Sequence, residues 1–174
     1  SAEEENVVIG GLMESCIAGL SAQVDSSMPS VLMAHHTVVG AELDNGQHVF
    51  QANEVVLPAA ALDSSAFDLV CLGHIHKAQR VEACSKPVYY AGSIDSFTFN
   101  DEGNDKGFWM YKMDDSRFIT SGFTETPARE FVTIKWDNAD IDTVIRSDES
   151  WKYTRFDNQV VRVLYTCDSE TEKA

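Results

Sequence analysis

Two short apolar runs, each ending beside histidine and glycine, constrain this chain more than any other feature. Phe67-Asp68-Leu69-Val70-Cys71 has strand character and leads into Leu72-Gly73-His74-Ile75-His76. Side chains at i and i+2 of a strand point to the same side. Extended backbone here would present His74 and His76 to one place, with Gly73 giving the chain room to turn. Paired neutral imidazoles suit a transition metal. The other run, Val31-Leu32-Met33-Ala34, is short and loop-bounded, as a buried strand is. It ends in His35-His36-Thr37-Val38-Val39-Gly40-Ala41. In open α/β sheets the ligand site lies at the carboxyl ends of the strands. Two neighbouring parallel strands ending this way would bring His35 to the rim that carries His74 and His76. Taken singly, each histidine has a plainer reading, a hydrogen-bonded residue near a strand end. His48 has no such context and reads as a loop residue.

The rest of the pattern is mixed α/β. Residues Val7 to Val24 predict an amphipathic helix, with Val8, Leu12, Cys16 and Leu20 at i+4 spacing and Ile9, Met13 and Ile17 beside them. Gly10, Gly11 and Gly19 weaken it by roughly 1 kcal/mol each. Asp44-Asn45-Gly46 signals a turn. Strands are expected at 54–57 and 88–91. A short helix is expected after Pro58, which the first turn tolerates. The stretch Asn100 to Asp105 reads as a solvated acidic turn. Residues 107–113 and 117–124 predict a hairpin closed by Asp114-Asp115-Ser116. Around Pro127 the character changes. An alternating strand at 130–136, a short helix at Ile141 to Ile145 and a last strand at 159–165 follow.

At 174 residues the chain suits one domain, or one plus a fragment. Its 28 acidic and 13 basic residues give a formal net charge of −15. A nucleic-acid binder usually carries a basic footprint, so any DNA contact needs local or borrowed cations. Among four cysteines none forms a CxxC pair. Cys16 and Cys71 lie in apolar runs and read as buried free thiols. This usage points to a reducing, cytoplasmic setting. No segment reaches transmembrane length. The acidic opening Ser-Ala-Glu-Glu-Glu is unlike a signal peptide and has no Met, so a processed, tagged or shortened chain is expected.

Four stretches occur together and in order: Ala34-His35-His36-Thr37-Val38-Val39-Gly40-Ala41, Leu72-Gly73-His74-Ile75-His76-Lys77-Ala78-Gln79, Tyr90-Ala91-Gly92-Ser93 and Lys106-Gly107-Phe108. In this combination the chain resembles the SbcD family of nuclease subunits, which are calcineurin-like metallophosphoesterases. The resemblance runs from about Val7 to Val163. It implies an α/β/β/α sandwich with a site for two divalent metal ions, usually manganese. It also implies an SbcC-type ATPase partner, DNA as substrate in recombination and repair, and a homodimer in the full complex, with no membrane role. Carried over by position, His35 and His74 would share one metal and His76 would ligate the other. His36 falls at a variable position. Lys77 and Arg80 lie where they could meet DNA phosphate, as does Lys86. Each is also an ordinary surface charge in its plainer reading.

The family site has five metal-binding motifs, and only the last two are here. Asp-x-His, Gly-Asp-x-x-Asp and Gly-Asn-His do not occur. Three neutral imidazoles by themselves suit zinc, nickel or copper better than manganese. The resemblance therefore implies the C-terminal half of the nuclease domain over residues 1–127. Residues 128–174 would begin a small α+β capping domain. Such a fragment is expected to be inactive, or nearly so, alone. The alternative is a non-catalytic module of the same fold that docks an ATPase or DNA. A third possibility is a metallophosphoesterase acting on nucleotides or phosphoproteins, against which the capping extension argues.

Overall fold

The computed structural model describes residues 2–47, 55–114, 117–136 and 156–166. The described residues are mixed α/β, with parallel pairing in three of the four sheets among them. The chain divides into two compact units. One comprises Ser1–Asp95 with Asn104–Pro127, the other Ser96–Gly103 with Ala128–Ala174.

In the first unit, β1 (Val31–His35), β4 (Leu69–Gly73) and β6 (Val88–Tyr90) run parallel in the spatial order β1-β4-β6. The short strand β5 (Gln79–Arg80) closes the far edge antiparallel to β6. Parallel strands covered on their faces need near-continuous apolar sequence, which Leu-Val-Cys-Leu and Val-Tyr-Tyr supply. Leu32, Val70, Leu72, Val88 and Tyr90 share one face. They pack on Ile17, Val38, Leu57, Leu62 and Val81 to form the core. Val38 belongs to β2 (Thr37–Val38), which pairs with β3 (Val56–Leu57). Pro58 caps α2 (Ala59–Asp63) in extended geometry at φ −70°, outside the helix and where its missing N–H costs nothing.

The helix α1 spans Ala2–Ser21, but its expected stripe faces outward. Val8, Leu12 and Leu20 are exposed, and so is Cys16. The covered row is Gly10, Met13, Ile17, Ser21 and, just beyond the helix, Val24. The helix is apolar on several sides, so the i+4 row was not diagnostic of the packed one. Cys16 is therefore not a buried thiol, while Cys84 is buried and Cys71 half-buried. Burial raises both of the latter, Cys84 to about 11.

The opposite face of the sheet is roofed by a hairpin. Its strands β7 (Gly107–Asp114) and β8 (Arg117–Glu125) pair antiparallel from Gly107↔Glu125 to Asp114↔Arg117, with a register shift at Lys112/Met113. Residues 115 and 116 of the expected turn lie outside the described residues. Tyr89 of β6 sits against Trp109 at 4.9 Å, Tyr111 at 5.3 Å and Phe118 at 6.2 Å between ring centroids. Ser121 Oγ donates to the Tyr89 hydroxyl at 2.9 Å. This aromatic cover stops short of β1, where Met33 is 82% exposed.

In the second unit, β9 (Phe131–Trp136) pairs in parallel with β10 (Val160–Tyr165). A 3-10 turn, Phe99–Asp101, packs Phe99 edge-on to Phe131, with the Arg162 guanidinium 4.3 Å above the Phe99 ring. The acidic stretch from Asn100 is not simply a solvated turn. Asp101 is 2% exposed, and its Oδ2 accepts the backbone N–H groups of Phe97 and Thr98. Thr98 Oγ1 in turn accepts the Asn100 N–H, and the turn opens on a capping box. The helix expected at Ile141 to Ile145 lies outside the described residues, as do His48 and Cys167.

Candidate metal centre

The parallel register between β1 and β4 sets His35 beside Gly73. One residue on, the chain leaves the strand, and the His35 and His74 rings come to rest 5.5 Å apart between centroids, at 76° to each other. Both imidazoles are exposed at the carboxyl rim of the sheet. A shallow depression of about 530 Å³, lined by Met33, His35, Cys71, Gly73 and Ala91 among others, adjoins His35.

The way His74 reaches this place differs from the alternating-strand expectation. Strand β4 ends at Gly73, so strand alternation does not govern His74 and His76. The turn is made by His74 itself, at φ 95°. A non-glycine residue rarely holds such a value, which costs of order 1–3 kcal/mol and gathers at functional sites. Gly73 is needed for a different reason from the turn. A Cβ there would stand 2.6 Å from His35 Nδ1, so only glycine lets the imidazole lie across the β4 backbone.

The loop after His35 is tied down by Tyr90, a fully buried residue of β6. Its hydroxyl donates to the His36 carbonyl at 2.7 Å and accepts the Val38 N–H at 2.9 Å. Trp109 Nε1 donates to the Tyr90 carbonyl at 3.1 Å. A residue two strands away thus fixes the backbone on either side of Thr37. Removing one hydroxyl orphans a buried donor and an acceptor together. Tyr90→Phe is therefore expected to lower unfolding free energy by about 1–3 kcal/mol, read as a lower urea midpoint with an unchanged slope.

The backbone at His76 is held from the Gly92-Ser93 side. Ser93 N–H donates to the His76 carbonyl at 3.1 Å, and Lys106 Nζ donates to it at 3.3 Å and to Ser93 Oγ at 3.0 Å. His76 Nδ1 lies 3.9 Å from Asp44 Oδ2. The proposed phosphate-contacting cations have acidic neighbours. Lys77 Nζ pairs with Glu42, and Arg80 Nη1 meets Glu82 at 2.8 Å. Lys86 Nζ donates to the Ser65 carbonyl, and Lys86 N–H, with Ser85 N–H, donates to Asp63. Slight burial pushes the Asp63 carboxyl up, but those two N–H bonds, with the Ser85 side chain and the Lys86 charge, outweigh it together and hold it below the usual carboxylate range.

His35 and His74 are thus brought together, and His76 is placed beside Asp44. Sequence reasoning did not find Tyr90, Asp44 or the reason for Gly73. The Tyr90-Ala91-Gly92-Ser93 stretch was the available signal for Tyr90, and no local pattern marks Asp44 apart from its turn. The chemistry of the rim fits a divalent ion of the zinc, nickel or copper class. Its donors are imidazole nitrogens, close together and open to solvent. Two imidazoles are an incomplete ligand set, and the described residues supply no third donor that completes a compact set with them.

No protein-family model matches the chain. Over 133 residues, 74% of its length, the chain is 23% identical to the SbcD component of the SbcCD nuclease of Staphylococcus epidermidis. The match spans 34% of that relative, so the chain covers about a third of its length. The likeness is distant, and that relative is a nuclease subunit.

Proposed function

We propose that this chain forms the second half of a metallophosphoesterase-type nuclease domain, an α/β/β/α sandwich in its complete form. Residues from 128 onward would open a capping domain. In the complete protein it would act on DNA ends with an SbcC-type ATPase, as a homodimer, in recombination and repair. The observation that carries this reading is the convergence of His35 and His74 at the ends of two adjacent parallel strands. The distant nuclease relative supports it independently.

In this reading His35 and His74 hold one divalent ion and His76 holds a second, with manganese the ion in the complete protein. When bound, such a pair activates water and neutralises charge on a phosphodiester during in-line displacement. The chain's own residues supply position. Gly73 admits His35, the strained backbone aims His74, and Tyr90 fixes the loop between β1 and β2. Lys77 and Arg80 would contact DNA phosphate by exchanging their Glu42 and Glu82 partners for it. The missing aspartate, asparagine and histidine ligands would come from outside these 174 residues, so the chain alone should not cleave DNA.

Calorimetric titration with Mn²⁺ and Zn²⁺ tests this. Saturable binding is expected, lost in His74→Ala and in His35→Ala. Titrations of both variants that match the unsubstituted chain would sink the ligand assignment. Mn²⁺-dependent DNA cleavage by the 174-residue chain, abolished in His74→Ala, would overturn the claim that it is inactive alone.

A further inference from the structure

Lys106, the residue before the hairpin, is only 4% exposed. Lysine is almost never buried unless its ammonium is paired or hydrogen-bonded. Lys106 Nζ donates to Ser93 Oγ at 3.0 Å and to the His76 carbonyl at 3.3 Å. Ser93 N–H donates to the same carbonyl at 3.1 Å. Methionine has similar reach without the charge, and replacing buried ionic groups by apolar ones of like volume is often neutral or stabilising. The ammonium is therefore better accounted for by what it holds than by the space it fills.

It holds the loop that carries His76. Between β4 and β5, residues 74–78 form neither helix nor strand, so no ladder of their own fixes them. Ile75 is buried and anchors the middle of the loop. The His76 side chain is 46% exposed, so packing restrains the ring only in part. Gly92 lets the neighbouring loop close on this one. Its φ is 73°, and a Cβ there would stand 2.8 Å from Ala78 N. That approach brings Ser93 to His76. Ser93 is fixed in turn, since its carbonyl accepts the Gly107 N–H at 3.1 Å. Lys106 is gripped through its own carbonyl, which accepts the Thr126 N–H at 2.8 Å. The ammonium thus ties the His76 backbone to the root of the hairpin.

We infer that Lys106 is a positioning residue for His76. Its ammonium fixes the His76 carbonyl from within the fold, and the backbone so fixed sets where the imidazole stands at the rim. A charged donor makes a stronger hydrogen bond than a neutral one. Low dielectric around it raises the cost of letting the carbonyl swing away. Groups behind a metal ligand set its orientation, and their loss weakens metal affinity. This assignment rests on the reading of His76 as a metal ligand. It gives Lys106 no contact with metal or DNA.

The test is a double-mutant cycle on Zn²⁺ affinity, read by calorimetric titration of the 174-residue chain. His76→Ala first identifies the component of binding that depends on His76. Lys106→Met should weaken that component about 10-fold. Ser93→Ala, which takes one acceptor from the ammonium, should weaken it more than twofold. In the His76→Ala background neither substitution should change the remaining affinity by more than twofold. A Lys106→Met chain whose affinity stays within twofold of the parent would overturn the inference. Should that variant not fold, a Ser93→Ala chain within twofold would do so instead. Equal losses with and without His76 would also overturn it, since they mark a general loosening and not an action through His76. A titration that His76→Ala leaves unchanged would overturn the ligand reading, and this inference with it.

Discussion

Gly73→Ala should abolish or cripple metal binding while barely changing stability. The new Cβ would stand 2.6 Å from His35 Nδ1 and 3.2 Å from Cε1, closer than real contacts allow. What must yield is an exposed imidazole at a strand end, not backbone. His35 can swing away, and the motion carries it off the 5.5 Å approach to His74. Gly73 has no left-handed φ, so alanine meets no backbone strain there and gains a few tenths of a kcal/mol through the unfolded chain. Loss of a carboxylate behind a ligand costs about 10–100-fold in affinity. Displacement of a ligand itself should exceed that. The check is a Zn²⁺ titration beside a urea melt. A melt shifted by several kcal/mol, or an affinity within threefold of the parent, would refute the account of why glycine stands here.

The case of Gly73 also shows how the sequence was legible and where it stopped being so. The strands ending in His35 and before His74 could be read directly, because a parallel strand covered on its faces needs an unbroken apolar run and few other elements have one. Their adjacency was a topological expectation, and the β1–β4 register met it. What one strand does to its neighbour was not legible. Gly73 makes room for a residue 38 positions earlier, and Tyr90 bonds a backbone 52 and 54 positions earlier. Such contacts depend on register, which no local window contains. The helix α1 failed for another reason. With apolar residues on several sides, its periodicity named more than one face, and only packing chose Met13 and Ile17 over Leu12 and Cys16. Asp101 failed because composition describes what a loop is made of and not where its carboxylate is buried.

The site also depends on the hairpin that roofs the far face of the sheet. Tyr90 can fix the His36–Val38 loop only if β6 is itself fixed. Trp109 bonds the Tyr90 carbonyl, and the Trp109 and Tyr111 rings hold Tyr89 from the other face. The chain thus runs from hairpin to β6, from β6 to the loop, and from the loop to His35. The first two links are hydrogen bonds or ring contacts between neighbouring elements and the last is the chain itself, so loosening the hairpin should be felt at the rim.

Gly107→Ala would make that test and should be the most destabilising glycine substitution in the chain. Its Cβ would fall 2.1 Å from the Thr124 carbonyl oxygen, 2.9 Å from the Thr124 carbonyl carbon and 2.8 Å from Phe123 Cζ. Unlike His35, this obstacle is backbone and cannot swing aside. Gly107 pairs with Glu125 and Phe108 with Thr124, and the flanking bonds Gly107 N to Ser93 O (3.1 Å) and Thr126 N to Lys106 O (2.8 Å) grip both strands. Relief therefore requires parting the first rungs of the hairpin. Overpacking a filled site costs typically 1–3 kcal/mol and sometimes more. About 3 kcal/mol is expected here, since the clash is with the ladder itself. Gly122→Ala on the partner strand is the control. Nothing lies within 4 Å of its Cβ, and it should change stability by no more than about 0.5 kcal/mol. Urea melts of the two variants decide the matter. Because Ser93 also donates to the His76 carbonyl, Gly107→Ala should weaken Zn²⁺ affinity as well, in a chain whose histidines are all intact. Equal melts for the two glycine variants would show that the hairpin ladder gives more readily than its paired backbone implies.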